Sequence, residues 1–302
     1  DLAATGDPDG LYRLGRVLRK GGQWVTPDPE RAFDLLVDAA AADHPKAQML
    51  VGRMLWDGEG TEPNEQTSLL YYTMAAENGM AEAQYRAGCM HFEGLFDEMG
   101  ESDPLSAAYW LKKAADQGHP DAQYRLGGML LTDEGLNRNV TWAADYFRKS
   151  AEQNHTKAAE AIGLMYRIGM GVDHDSKEAV RWLAKAGQQG DPNACFVMGE
   201  MYRDGEGIPK DASTAIHWFT RAGDRGHAKA AEELGVMYLS GEGTEVDEEG
   251  SAYWFTRAEQ LLTGGGELAD YAWDEERDSI YGAEYDPEID RRLPAWARTA
   301  MQ

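Results

Sequence analysis

Cysteine is nearly absent: Cys89 and Cys195 are the only two in 302 residues. A disulfide framework is thereby excluded, and a reducing compartment is permitted. Basic charge is also scarce, with 29 Lys and Arg against 53 Asp and Glu and a net charge of −24. That balance argues against a duplex nucleic-acid binder, whose phosphate contacts need a net basic face. No apolar run reaches the length of roughly 18 residues that a membrane-spanning helix requires. HExxH, GxSxG, Walker and dinucleotide signatures are missing, so nothing points to an enzyme, a cofactor or a bound metal. An initiating methionine is missing as well, since the chain opens on Asp1. The amino terminus therefore reads as trimmed. Location is undetermined: the cytoplasm is favoured, with a periplasmic or secreted site left open.

Present instead is a recurrence. Gly15, Gly52, Gly88, Gly127, Gly163, Gly199 and Gly235 follow one another at gaps of 37, 36, 39, 36, 36 and 36 residues. A fixed period of this size marks a stacked array, in which no unit buries its own apolar face alone. Five residues before the glycine stands a small residue (Gly10, Ala47, Ala83, Ala122, Ala158, Ala194, Ala230). Two after it stands Val17 or a methionine (Met54, Met90, Met129, Met165, Met201, Met237). The apolar positions follow a 3.6-residue period, which predicts a first helix in each unit, called A here. A glycine inside a helix costs about 0.5–1 kcal/mol relative to alanine, so its repetition predicts a neighbouring helix too close for a side chain.

Glycine turns such as Gly58–Gly60, Gly169–Gly171, Gly205–Gly207 and Gly241–Gly243 end helix A with left-handed backbone. They lack the lysine-serine pair of a phosphate loop and the ligand spacing of a calcium loop. A second helix, B, then opens on an N-cap in every copy: Asp28, Asn64, Asp103, Asn139, Asp175, Asp211 and Asp247. Seven residues further on comes a large residue (Leu35, Tyr71, Trp110, Tyr146, Trp182, Trp218, Trp254), and four beyond that a small one such as Ala75, Ala114, Ala186 or Ala222. Large against small predicts knob-into-socket stacking between repeats.

The unit A-Q-Y-x-L-G-x-M-Y, glycine turn, D-x-x-x-A-x-x-W-x-x-x-A-x-x-x-G resembles the Sel-one-like repeat (SLR) family of the tetratricopeptide superfamily. The resemblance implies an all-α, right-handed α/α superhelical solenoid of seven helix-turn-helix repeats over residues 1–262, followed by an acidic helical cap or tail over 263–302. It further implies a non-enzymatic adaptor or scaffold that binds a peptide or protein segment in a concave groove lined by the A helices. On that geometry the groove columns hold Tyr12, Arg13, Arg16, Arg53, Trp56, Tyr85, Arg86, Phe92, Tyr124, Arg125, Arg167 and Arg203. Arginine binds carboxylates through two bonds and stacks on rings, so an acidic or C-terminal peptide partner is expected. A monomer or weak dimer is expected. The alternative for the arginines is pairing with glutamates on adjacent helices.

His44, His119, His155 and His227 fill one column a repeat apart, too widely spaced to share a zinc ion. Asn139 and Asn154 head Asn-x-Thr sequences but sit in repeat-register positions, and the pattern reads as chance. Irregular loops occur in copy three (Leu95, Phe96, Met99), copy one (Trp24) and copy four (Gly135). After Gly264–Gly266, the segment Glu267–Tyr281 reads as a further helix that either covers repeat seven or docks on the arginine stripe. A hydrolase with an unrecognised acidic site and a lumenal quality-control adaptor remain the competing functions.

Overall fold

The computed structural model describes residues 6–22, 24–95, 101–132 and 136–263. The expectations for Phe96, Met99, Gly135 and the tail after Thr263 lie outside those residues. Among the described residues there are fourteen α-helices, and the chain is an all-α solenoid of seven helical hairpins. The A helices are α1 (Pro8–Lys20), α3 (Pro45–Asp57), α5 (Ala81–Phe92), α7 (Pro120–Thr132), α9 (Thr156–Ile168), α11 (Pro192–Asp204) and α13 (Ala228–Ser240). Their B partners are α2 (Pro29–Ala41), α4 (Glu65–Glu77), α6 (Pro104–Asp116), α8 (Val140–Glu152), α10 (Ser176–Gln188), α12 (Ala212–Asp224) and α14 (Glu248–Thr263). No described helix is long and apolar enough to cross a membrane.

Among the described residues, those up to 126 with 136 make one compact unit, and 127–132 with 137–263 a second. Within each, an A helix packs along its own B helix, and that B helix packs on the A helix that follows.

Each B helix starts where its cap side chain accepts an amide of the first turn, as Asp28 does from Arg31, Asn64 from Thr67 and Asp211 from Thr214. The cap's own amide donates to the carbonyl three residues past the A-helix glycine: Asp28 to Leu18, Asn64 to Leu55, Asp103 to His91, Asn139 to Leu130, Asp175 to Tyr166. Copy three keeps this bond at 2.9 Å, so its extra residues do not alter the hairpin register.

The glycine column does what the helix cost predicted. A Cβ on Gly199 would come within 2.5 Å of the Phe219 ring, and one on Gly88 within 2.7 Å of Leu111. The residues that demand this space are Leu36, Tyr72, Leu111, Phe147, Leu183, Phe219 and Phe255, one place beyond the large column singled out in the sequence. That large column has another use. Trp218 lies against Gly187 of α10, and Trp254 against Gly223 of α12, so each knob packs back onto the preceding B helix. The cationic side chains of Lys113, Lys149, Lys185 and Arg221, three places on, lie over Trp110, Tyr146, Trp182 and Trp218 at 4.9–5.3 Å.

The second turn glycine also has two jobs. Gly60 has φ +74, and a Cβ there would collide with the Pro29 carbonyl at the start of the preceding B helix. Gly171 meets Val140, and Gly207 meets Ser176, in the same way.

Candidate protein-interaction surface

The surface is set by what the A-helix side chains are already holding. Tyr12 and Tyr85 occupy the fifth place of their A helices, half-buried, and each stacks on the histidine that begins the next A helix. Tyr12 meets His44 at 4.7 Å and Tyr85 meets His119 at 4.7 Å between ring centroids. Phe196 meets His227 likewise, at 4.4 Å.

These histidines are N-caps. Nδ1 of His44, His119, His155 and His227 accepts the third amide of α3, α7, α9 and α13, at 3.1–3.3 Å. In the neutral ring that places the proton on Nε2. Nε2 of His44 then faces the Asp9 carboxylate at 3.0 Å, and Nε2 of His119 the Glu82 carboxylate at 2.9 Å. The His119 bond, helped by Arg86, holds the Glu82 carboxyl down at about 2 against burial. Burial and the Cys89 thiol push the Tyr85 phenol up to about 12. Where the cap is Asp191, a cation replaces the acid of this joint: Lys157 pairs with it at 3.2 Å.

The arginine columns divide sharply. Arg167 bonds Glu200 at 3.0 Å and Glu206 at 2.9 Å, both in the following repeat. Arg203 bonds Asp204 at 3.0 Å and Glu233 at 2.7 Å. Arg19 clasps Glu59 at 2.7 Å. Arg125 lies 3.6 Å from Glu93 and over the Phe92 ring at 5.9 Å. Arg86 pairs with Glu82 along its own helix at 2.9 Å, and Arg53 with Asp57 at 3.3 Å, both largely exposed. Arg13 and Arg16 are exposed, and among the described residues neither has a carboxylate within 4.0 Å; Arg16 lies over the Tyr12 ring at 5.5 Å. Trp56, on α3, is 39% exposed. Tyr124 is half-buried.

Apart from the half-buried Tyr124, the expected groove residues fall into three kinds. Tyr12, Tyr85, Phe92 and Arg125 join repeats within the first unit, and Arg167 and Arg203 join repeats within the second. Arg53 and Arg86 hold weak same-helix pairs. Among the described residues, Arg13, Arg16 and Trp56 take part in no ion pair and no hydrogen bond between repeats.

Sequence reasoning missed the glutamate of the D-G-E-G turn, which receives the preceding repeat's arginine at Glu59 and Glu206. The signal was the glutamate's fixed place between two glycines. It also missed the buried glutamine of the A-Q-Y text. Gln48, Gln84 and Gln123 donate to Ala40, Ala76 and Ala115, closing the open carbonyls at the end of the preceding B helix.

Among the described residues no three His, Cys, Asp or Glu side chains gather to hold a metal, and both cysteines are free thiols. An all-α repeat array with a partly uncommitted polar and aromatic face defines an interaction scaffold. Known proteins of the same architecture support that class. The Sel1 repeat profile matches residues 8–44, 45–80, 81–119, 120–155, 156–191, 192–227 and 228–261, and the chain belongs to the Sel1 repeat family.

A protective antigen of uropathogenic Escherichia coli with an SLR fold is similar over 99% of this chain and 62% of its own, at 27% identity and a TM-score of 0.80. A Sel1 repeat protein from Oxalobacter formigenes is similar over 90% of this chain and 77% of its own, at 30% identity and a TM-score of 0.69. Chitin synthase regulatory factor 3 of Schizosaccharomyces pombe is 34% identical over 124 residues, 40% of this chain and 13% of that protein. Chitin synthase regulator SKT5 of Saccharomyces cerevisiae is 29% identical over 134 residues, 44% of this chain and 19% of that protein. The chain therefore spans less than a fifth of the length of either fungal relative.

Proposed function

We propose that the chain is an adaptor whose first repeats bind an acidic peptide segment in a concave A-helix groove. Arg13, Arg16 and Arg53 supply the cationic contacts, and Trp56 supplies an apolar anchor. Arg86 and Tyr124 extend the same face along the first unit, where Tyr85, Phe92 and Arg125 line it while holding contacts between repeats. One observation carries this reading. In a chain with 53 acidic and 29 basic residues, two neighbouring-turn guanidinia, Arg13 and Arg16, have no carboxylate partner among the described residues. With no ion pair within 4.0 Å among the described residues, these guanidinia keep capacity for bidentate bonds to an incoming carboxylate, although Arg13 also feels the Asp9 charge one turn away. Arg167 and Arg203 serve the scaffold rather than the ligand.

The Sel1 repeat family is generally a non-catalytic scaffold fold, and what the fungal relatives share with this chain is repeat sequence. Their regulation of chitin synthase is not carried over to this chain, which spans under a fifth of either protein. Strong like charge keeps the chain a monomer or weak dimer.

The test is fluorescence anisotropy with a labelled glutamate-rich peptide and a lysine-rich control, using the full chain. Arg13→Glu with Arg16→Glu should weaken capture of the acidic peptide by about tenfold or more while leaving the melting temperature within a degree or two. Equal binding by wild type and variant would overturn the proposal.

A further inference from the structure

The last repeat is open where the other six are closed. Leu36, Tyr72, Leu111, Phe147, Leu183 and Phe219 are exposed by 0–4%, yet their equivalent in α14, Phe255, is 39% exposed. Val236 and Leu239 on α13 and Leu262 on α14 are exposed by 52%, 54% and 56%. In the second unit α9, α11 and α13 pack on α8, α10 and α12, but no described helix packs on α14 from beyond.

The sequence that follows carries half of an A helix. Every other B-to-A connector is three residues long (42–44, 78–80, 117–119, 153–155, 189–191, 225–227), with a left-handed residue in the middle. After Thr263 come three glycines, Gly264–Gly266. Counting on from Glu267, Ala269 falls on the small column of Ala47 and Ala83, and Tyr271 on the column of Tyr85. Trp273 falls on the apolar column of Val51 and Ala87. The next two core columns are lost: Asp274 stands for the glycine and Glu276 for the methionine.

The split has a physical logic. Ala83 and Ala87 share a buried cluster with Leu69, Tyr72, Ala75 and Ala76 of the preceding B helix. The glycine, by contrast, makes room for its own B helix, as Gly88 does for Leu111. Two of the places that face backward, at Ala269 and Trp273, stay apolar; the methionine place, whose Met90 shares the same cluster, and the glycine that faces a B partner of its own both carry acid.

We infer that the segment 267–276, whose sequence keeps half of an A-helix pattern, covers the exposed face of α13 and α14 around Phe255, Leu239 and Leu262, with Ala269, Tyr271 and Trp273 as its apolar residues. Tethering through three glycines gives this segment a millimolar effective concentration at the face. A second copy has no such advantage and must overcome the repulsion of two chains of charge −24. α14 runs to 16 residues where every other B helix has 13, which carries Leu262 out to meet the segment.

Hydrogen exchange on the full chain, read by mass spectrometry, tests this. Amides 268–276 should exchange about tenfold or more slowly than in a synthetic peptide of the same sequence. Trp273→Asp should abolish that protection and speed exchange in α14, leaving α1–α6 unchanged. Exchange of 268–276 at the peptide's rate would overturn the inference. So would a chain that sediments as a dimer and returns to monomer on Phe255→Asp, because a second copy would then be the cover.

Discussion

The imidazole of His119 lies flat on the phenol ring of Tyr85, with centroids 4.7 Å apart and planes at 21°. One ring therefore does three things: it caps α7 through Nδ1, meets Glu82 through Nε2, and covers an aromatic of the previous repeat. His119→Asn keeps a capping side chain but loses the stack and the carboxylate contact. It should cost about 1 kcal/mol, and His119→Ala, which also loses the cap, about 2 kcal/mol, measured by urea unfolding.

The same joint makes stability depend on acid. The Glu82 carboxyl is held near 2, below its ordinary 4.5, chiefly by the bond from His119. Its contribution is fully present above about pH 4.5 and is lost as pH falls toward 2. The side chain is 38% exposed, so the effect is partly screened by solvent. Glu82→Gln should flatten the fall in melting temperature between those two values. A profile that matches wild type would show that the bond to His119 carries no stability.

Two glycines inside A helices should respond in opposite directions. Gly199→Ala forces a Cβ into the Phe219 ring and should destabilise by about 1–3 kcal/mol despite the better helix propensity. A Cβ on Gly128, inside α7, would meet nothing within 4 Å, and Gly128→Ala should stabilise by about 0.5–1 kcal/mol. Denaturant midpoints decide both.

Two non-glycine residues hold left-handed backbone at the B-helix end, Asp43 with φ 58 and Asn154 with φ 70. Asn154→Gly should stabilise by about 0.5 kcal/mol through relief of that conformation. Asp43→Gly should not, because Asp43 accepts bonds from Gln48 at 2.8 Å and Asn78 at 2.9 Å that glycine cannot replace. A lower melting temperature for Asp43→Gly beside a higher one for Asn154→Gly is the expected pair.

The arginines offer the sharpest separation of scaffold from surface. Arg167→Ala strands Glu200 and Glu206 in a half-buried site and should cost about 1–3 kcal/mol. Arg16→Ala should cost less than about 0.5 kcal/mol, since only a ring contact is lost. Equal costs for the two would mean that the observed pairs do not distinguish their roles.

Sequence alone determined the repeat number, the helix type, the cap column of helix B and the close approach at each glycine. Those features are local or strictly periodic: an Asp before a helix bonds its own first turn, and a helix-interior glycine that recurs in register requires a neighbour at close range. Tertiary structure decided what the polar groove columns do. Arg16 and Arg167 both stand on A helices in the columns expected to face a groove, but only Arg167 finds two carboxylates, because Glu200 and Glu206 come from a repeat more than thirty residues away. Stacking brings those groups together, and a linear pattern does not encode which neighbour's acid arrives within bonding distance. The histidine column was visible for the same reason that its use was not: periodicity reveals a position, while the ring's three partners belong to two different helices.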